Sequence, residues 1–158
     1  LLRIDEIFLP LPAELVKTNE QYSVPLQFDA LPAEETQLLV LGNEELLFTA
    51  IKNIVTNACK YSTDHQAQVR LAVQEHELVI TVQDTGIGIP AEEIDNIFQP
   101  FYRVDESRHI SGFGLGLSLT SRFIKLHKGR IAVSSVPGQG TLFTIYLPVA
   151  NNNQEAEF

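Results

Sequence analysis

A glycine-bordered carboxylate is the first feature of this chain that could do chemistry. Within the stretch Val82 to Pro90, Asp84 follows an apolar run and precedes Gly86 and Gly88. Glycine permits positive φ and has no Cβ, so a flat group can approach such a turn closely. A carboxylate held there accepts hydrogen bonds, for example from the amino group of a purine ring. A tight turn with a solvated aspartate is the alternative interpretation.

A second set of polar residues falls on one strip of a predicted helix, residues 44–61, with Asn43 as its N-cap. Because successive residues of an α-helix are rotated by ~100°, this strip borders the apolar arc that must face a sheet. The strip consists of Asn53, Asn57, Lys60 and Tyr61, and the arc of Leu47, Ile51, Ile54, Val55 and Ala58. An amide oxygen suits Mg²⁺, which usually takes substrate phosphates as well. An ordinary amphipathic helix is the alternative.

A third stretch alternates glycines before a predicted helix that runs from about Leu115 to His127, with Gly129 as the left-handed C′ glycine that follows it. Its sequence is Gly112-Phe113-Gly114-Leu115-Gly116-Leu117. Exposed amides at a helix N-terminus attract phosphate. The spacing matches neither the dinucleotide fingerprint nor a GK[ST] P-loop. A flexible hinge is the alternative.

Between these stretches lies an aromatic segment that contains Phe98 and Phe101. Arg103 and Arg108 follow it and are the cations closest in sequence to the glycines. An arginine fork donates to several oxygens at once, which suits a phosphoryl group in transfer. Core aromatics with two solvated arginines are the alternative.

Composition narrows the classes of function. The net charge of −9 argues against nucleic acid, because no basic surface is available to release counterions. A single cysteine fits a reducing compartment, no run is long enough to span a bilayer, and none of the four histidines belongs to a metal cluster. The start at Leu1 predicts a piece excised from a longer parent, with residues 1–150 as one domain and 151–158 as a disordered polar tail.

The order of predicted elements indicates a two-layer α/β (α+β) sandwich, with helices on one face of a mixed, mainly antiparallel sheet. We expect a helix near Pro12, strands at 22–28 and 37–41, hairpins 69–73/78–82 and 130–136/141–148, and a short helix at 91–97. Period-2 counting puts Asp84 on the face of Leu78, Ile80 and Val82. The same counting places Thr141 at the border of the core.

Over residues 43–148, four stretches in this order resemble the boxes of the catalytic, ATP-binding domain of sensor histidine kinases. Residues 53–62 resemble the N box, 84–89 the G1 box, 98–103 the F box and 112–117 the G2 box. The resemblance implies the Bergerat fold, shared with gyrase-type, chaperone and mismatch-repair ATPases.

The resemblance also implies roles for individual residues. Asp84 would accept from the adenine amino group, supported by Thr141 and the turn of Gly86, Gly88 and Ile89. Asn57 would ligate Mg²⁺, with Asn53 near the γ-phosphate. Lys60 would reach the phosphates, and Tyr61 would pack on the nucleotide. Arg103 would contact the γ-phosphate during transfer, and Arg108 and the 112–117 stretch would supply further contacts. The loop of residues 104–114 would act as the ATP lid. Phe98 and Phe101 would couple that lid to a dimerisation domain.

Two departures from the family pattern matter. Phe113 replaces a residue that is small or hydroxylated in many members, and no phosphoacceptor histidine box is present. The resemblance therefore implies a cytoplasmic, monomeric catalytic piece. Its partners would be the histidine-bearing dimerisation domain of a homodimeric parent and a response regulator receiver domain. Whether the inner membrane anchors the parent is left open. A stand-alone serine kinase of this fold and a non-catalytic nucleotide-binding module are the alternatives.

Overall fold

The computed structural model describes residues 1–29, 38–99 and 116–150. Within these ranges the chain forms four α-helices, seven strands and one 3₁₀ helix. They are β1 (Leu2–Arg3), α1 (Ile4–Phe8), α2 (Leu11–Thr18), β2 (Leu26–Phe28), β3 (Leu39–Val40), α3 (Glu44–Tyr61), β4 (Gln68–Gln74), β5 (Glu77–Gln83), the 3₁₀ helix (Ala91–Asn96), α4 (Gly116–Leu126), β6 (Arg130–Val136) and β7 (Gly140–Pro148).

Five of the strands form one sheet in the order β2-β4-β5-β7-β6. The β2–β4 pair is parallel and the other three pairs are antiparallel, which confirms the predicted mixed, mainly antiparallel sheet. The last of the described strands, β7, lies between β5 and β6. Because Gln83 pairs with Leu142, the end of β5 lies beside the start of β7.

The helices cover one face of this sheet. The inward residues of β5 and the predicted apolar arc of α3 are buried, so both periodicities are confirmed. Asn43 caps α3 as predicted, since its side-chain oxygen accepts from the amide of Leu46 at 3.1 Å. None of the described helices combines the length and apolarity that crossing a membrane requires.

The N-terminal third differs from the predictions. Two helices, α1 and α2, replace the single one expected near Pro12, and the break falls at Pro10, which has no N–H. The strand expected at 22–28 shortens to Leu26–Phe28. The strand expected at 37–41 shortens to Leu39–Val40 and pairs with β1 in a separate two-stranded sheet. The predicted short helix at 91–97 is a 3₁₀ helix.

Two hydrogen bonds fix α4 against α3. The hydroxyl of Thr120 donates to the carbonyl oxygen of Ala50 at 3.3 Å, and the amide of Asn43 donates to Nε2 of His127 at 3.0 Å. The end of α4 therefore meets the start of α3, so the helices are antiparallel. The N-terminal end of α4 lies beside the second half of α3, which carries Asn53 and Asn57.

Candidate functional site

Asp84 lies where the sequence predicts it, on the covered face of the sheet just beyond β5. Its side chain is buried, with 6% exposed. The backbone N–H of Asp84 donates to the carbonyl oxygen of Thr141 at 3.0 Å, and Oδ1 accepts from the amide of Gly86 at 2.8 Å. The carboxylate is therefore held in one orientation by its own turn.

Burial raises the pKa of the Asp84 carboxyl above that of an ordinary aspartic acid. Hydrogen bonds from the backbone of Gly86 and Thr141 act in the opposite direction but do not outweigh the loss of solvation. The Asp64 carboxylate adds a small unfavourable charge interaction. A raised pKa at a fixed, buried acid is typical of a binding site rather than of a solvated surface turn.

Residues 84–90, which we call the Asp84 loop, pack tightly against two other segments. A Cβ on Gly86 would lie 2.1 Å from the carbonyl oxygen of Tyr61 at the end of α3. Gly88 has a φ of 74°, and its Cβ would lie 2.4 Å from the carbonyl oxygen of Val136. Both glycines are thus required by neighbouring backbone. That a ligand also approaches them closely stays a prediction.

The loop is fastened to the end of α3 by hydroxyl groups. Thr63 donates to the carbonyl oxygen of Thr85 through Oγ1 at 2.9 Å, and the hydroxyls of Ser62 and Thr85 lie 3.4 Å apart. Ser62 also donates to the exposed Asp64 carboxylate at 2.6 Å, and this bond is the main reason that the pKa of Asp64 is lowered. The acid and the amide-bearing helix are therefore one connected unit.

On its other side the Asp84 loop is fastened to the β6–β7 hairpin. The amide of Ile89 donates to Oγ of Ser135 at 2.7 Å, and the hydroxyls of Ser135 and Thr141 lie 2.9 Å apart. Thr141 is buried on the predicted face, with 7% exposed. A Cβ on Gly140 would meet the carbonyl oxygen of Asp84 at 2.2 Å. The structure thus brings Asp84, Ile89 and Thr141 together.

The polar strip of α3 runs along the boundary between core and solvent, as predicted. Asn53, Asn57 and Lys60 are half-buried, and Tyr61 is 37% exposed. Neither asparagine side chain hydrogen-bonds to another residue in the described part of the chain. Their amide groups are therefore available to a ligand.

This strip fits a magnesium ion that takes some of its ligands from the protein and the others from a substrate and water. Within the described ranges no cluster of three carboxylate, histidine or cysteine side chains could hold a metal alone. Asn57 supplies a hard oxygen donor, and Mg²⁺ commonly binds one or two protein oxygens, with water and substrate phosphates completing its shell.

Of the predicted phosphate seat, only the first residues of α4 lie in the described ranges. Gly116 and Leu117 are half-buried, and within the described ranges a Cβ on Gly116 would meet no atom within 4 Å. Since Thr120 contacts Ala50, one turn of rise places Gly116 near the level of Ile54 in antiparallel helices. This end of α4 therefore opens beside the asparagines of α3.

Phe98 packs into the core, with its ring edge-on to Phe143 at 6.4 Å between centroids. This contact anchors the segment that follows the 3₁₀ helix to β7. The other predicted residues lie outside the described residues: Phe101, Arg103, Arg108, Gly112, Phe113, Gly114 and Leu115.

Several residues that shape the site had no predicted role. Ser135 and Gly140 hold the Asp84 loop from β6 and β7, while Ser62 and Thr63, just beyond α3, hold it through Thr85. The alternation of β6 could have signalled that Ser135 faces inward. Its bond to the amide of Ile89, 46 residues away in sequence, has no local signal.

Known proteins resemble this chain in sequence. The chain is 42% identical over 111 residues to the sensor histidine kinase RppB of Synechocystis, covering 68% of this chain and 24% of that protein. It is 37% identical over 157 residues to the adaptive-response sensory kinase SasA of Crocosphaera subtropica, covering 91% of this chain and 39% of the relative. The chain therefore spans between about a quarter and two fifths of the length of these relatives.

Solved structures share its fold. A mycobacterial sensor histidine kinase, MprB, aligns with a TM-score of 0.79 and 24% identity over 93% of this chain and 96% of that one. The catalytic domain of the histidine kinase ThkA aligns with a TM-score of 0.74 and 20% identity over 94% and 93%. A family model matches residues 42–151, which include the Asp84 loop, the polar strip of α3 and Thr141. The chain belongs to the family of histidine kinase-, DNA gyrase B- and HSP90-like ATPases.

Proposed function

We propose that this chain is the catalytic domain of a sensor histidine kinase. It binds Mg·ATP and transfers the γ-phosphoryl group to a histidine on a separate dimerisation domain. Membership of an ATPase family and the names of its sensor kinase relatives support this proposal. The observation that carries it is the buried carboxylate of Asp84, fixed beside the amide-bearing edge of α3.

At the base end of the site, Asp84 accepts a hydrogen bond from the amino group of adenine. Its raised pKa and buried position favour a ligand that donates to it, because a new donor compensates for lost solvation. Thr141 supports this contact from the adjacent strand. The wall of the site beside the adenine is shaped by Gly86, Gly88 and Ile89 of the Asp84 loop.

At the phosphate end, Asn57 holds Mg²⁺ and Asn53 lies near the γ-phosphate. Lys60 supplies a positive charge, and Tyr61 packs against the nucleotide. The N-terminus of α4 at Gly116 and Leu117 offers amides to the phosphates. Arg103, Arg108 and residues 112–115 complete the seat, with Arg103 on the γ-phosphate during transfer.

The catalytic contribution of this chain is positioning and charge stabilisation. Magnesium, when bound with the nucleotide, neutralises phosphate charge. An imidazole nitrogen of the acceptor histidine forms the new bond to the γ-phosphorus as the bond to the bridging oxygen breaks, and ADP leaves. Asp84, Asn57 and Arg103 hold the nucleotide so that these reacting atoms can align.

The proposed partners follow from this chemistry. They are the histidine-bearing dimerisation domain of a homodimeric parent and the receiver domain of a response regulator. Phe98 and Phe101 couple the nucleotide site to the dimerisation domain. The relatives are sensor kinases, which favours histidine over serine as the acceptor.

A transfer assay tests the proposal. This chain is mixed with ATP labelled at the γ-phosphate and with the dimerisation domain of its own parent kinase, and Asp84→Asn serves as the matched inactive variant. Acid-labile, base-stable label on the acceptor supports histidine phosphorylation. Acid-stable label would identify a serine kinase, and ATP binding without transfer would identify a nucleotide-binding module.

A further inference from the structure

Ser135 lies on the covered face of the sheet, near the end of the edge strand β6. It lies on β6, directly opposite Thr141 in the β6–β7 register. β6 alternates between half-buried and exposed residues, and Ser135 is one of the half-buried, inward ones. Its neighbour Ser134 is exposed on the opposite face. The two serines therefore differ in environment but not in chemistry.

The hydroxyl of Ser135 makes three hydrogen bonds. It accepts from the amide of Ile89 at 2.7 Å, donates to the carbonyl oxygen of Gly140 at 3.0 Å, and lies 2.9 Å from Oγ1 of Thr141. A hydroxyl has one proton and two acceptor lone pairs. The arrangement that satisfies all three contacts directs the Ser135 proton at the carbonyl oxygen of Gly140 and one lone pair at the amide of Ile89, so that Thr141 donates to Ser135.

This assignment fixes the polarity of Thr141. Its single proton is directed at Ser135, so the Thr141 oxygen can only accept from a ligand. The Asp84 carboxylate is also an acceptor, and its backbone N–H bonds to the carbonyl oxygen of Thr141. This corner of the site therefore offers two acceptors side by side, which favours a group with two N–H bonds.

We propose that Ser135 is a positioning residue that makes the site select a 6-amino purine over a 6-oxo purine. It acts through Thr141, whose hydroxyl it holds as an acceptor, and through Ile89, whose amide it holds in the Asp84 loop. A 6-oxo group carries lone pairs at the same place and would face two acceptors, which is unfavourable. This inference rests on the proposed binding of adenine nucleotides at Asp84.

Binding of ADP and inosine diphosphate by calorimetry tests this selection. Ser135→Ala should weaken ADP binding by about 5- to 10-fold, the loss expected for one hydrogen bond, and inosine diphosphate binding by less than about 2-fold. The matched control Ser134→Ala should leave both affinities unchanged. Ser135→Thr keeps the hydroxyl and should restore the preference for ADP.

A double-mutant cycle with Thr141→Val tests whether Ser135 acts through Thr141. In that background Ser135→Ala should change the ratio of the two affinities by less than it does alone. The inference would be overturned if Ser135→Ala weakened the binding of ADP and of inosine diphosphate equally, or if it lowered the melting temperature without changing the ratio of the two affinities. Either result would leave the proposed binding of ATP intact. Failure of the unsubstituted chain to bind ADP would instead refute the proposed function.

Discussion

The Asp84 loop and the outer edge of α3 lie side by side and are held in opposite ways. Backbone of α3, β6 and β7 packs against the loop, so that a Cβ on Gly86 or Gly88 would collide with a carbonyl oxygen. By contrast, the side-chain amides of Asn53 and Asn57 bond to no other described residue, and a Cβ on Gly116 opposite them would contact none of the described residues. One half of the site is built before a ligand arrives, and the other half offers groups that a ligand can order.

This difference suits the two ends of a nucleotide. A rigid base must be recognised by atoms already in place, because any rearrangement subtracts from affinity. A phosphate chain with its metal is hydrated and variable in geometry, and Mg²⁺ retains waters that adjust to the protein. We therefore expect substitutions of the loop glycines to affect folding, and substitutions of Asp84 or of the α3 edge to affect binding.

The largest expected difference in stability is between substitutions of two glycines, Gly86 and Gly116. Gly86→Ala places a Cβ 2.1 Å from the carbonyl oxygen of Tyr61, so backbone must shift, and we expect about 3 kcal/mol or more of destabilisation. Gly116→Ala adds a methyl group in open space within a helix and should stabilise the protein by about 0.5 kcal/mol. Urea unfolding of both variants measures this contrast. Equal midpoints would show that the loop is not closely packed.

Asp84→Asn should separate stability from binding. The amide oxygen can still accept from Gly86, but it cannot match a carboxylate as acceptor, so ADP affinity should fall about 10- to 100-fold. Because a neutral amide is easier to bury than a carboxylate, the melting temperature should rise. Asp64→Asn, on an exposed acid, is the control and should leave affinity unchanged.

The difference in stability between the unsubstituted chain and Asp84→Asn should depend on pH, because the pKa of Asp84 is raised. Burial penalises the ionised form, so the cost to stability is fully present above the folded-state pKa and disappears below the ordinary value for aspartic acid. The stability advantage of Asp84→Asn should therefore shrink as the pH falls through this window. ADP affinity of the unsubstituted chain should fall over the same range. If the stability advantage of Asp84→Asn stayed constant over this pH range, burial of the ionised Asp84 carboxylate would not be costly.

The smallest effect on stability is expected for substitutions at the α3 edge. Asn57→Ala removes the proposed metal ligand but no hydrogen bond to a described residue, so the unfolding midpoint should change little. Adding Mg²⁺ should then no longer strengthen nucleotide binding in calorimetry. Asn57→Asp keeps a hard oxygen and should preserve the dependence on Mg²⁺. Persistence of that dependence in Asn57→Ala would exclude this metal position.

Local periodicity predicted the parts of the fold that depend on burial. Alternation along β5 and β7 placed Asp84 and Thr141 on the covered face, and helical spacing placed Asn53 and Asn57 at the edge of α3. These predictions are correct because apolar residues must share one face of each element.

Contacts between distant backbone segments could not be predicted in this way. Gly129 was expected to be the left-handed residue after α4, but Lys128 has the positive φ of 61°. Gly129 is instead required because a Cβ would meet the carbonyl oxygen of Tyr146 at 2.4 Å. The two-residue strands β1 and β3 are too short to show a period, and their pairing joins distant residues.

The position of β7 has a consequence for how the protein is made. Of the described strands β7 is the last to leave the ribosome, yet it is inserted between β5 and β6 and supplies the carbonyl that holds Asp84. A nascent chain that has passed residue 130 already contains Asp84 and both asparagines but lacks the β7 side of the wall around the acid. Nucleotide recognition is thus withheld until β7 has been made, and a product truncated before β7 would expose the unpaired edge of β5 to aggregation or proteolysis.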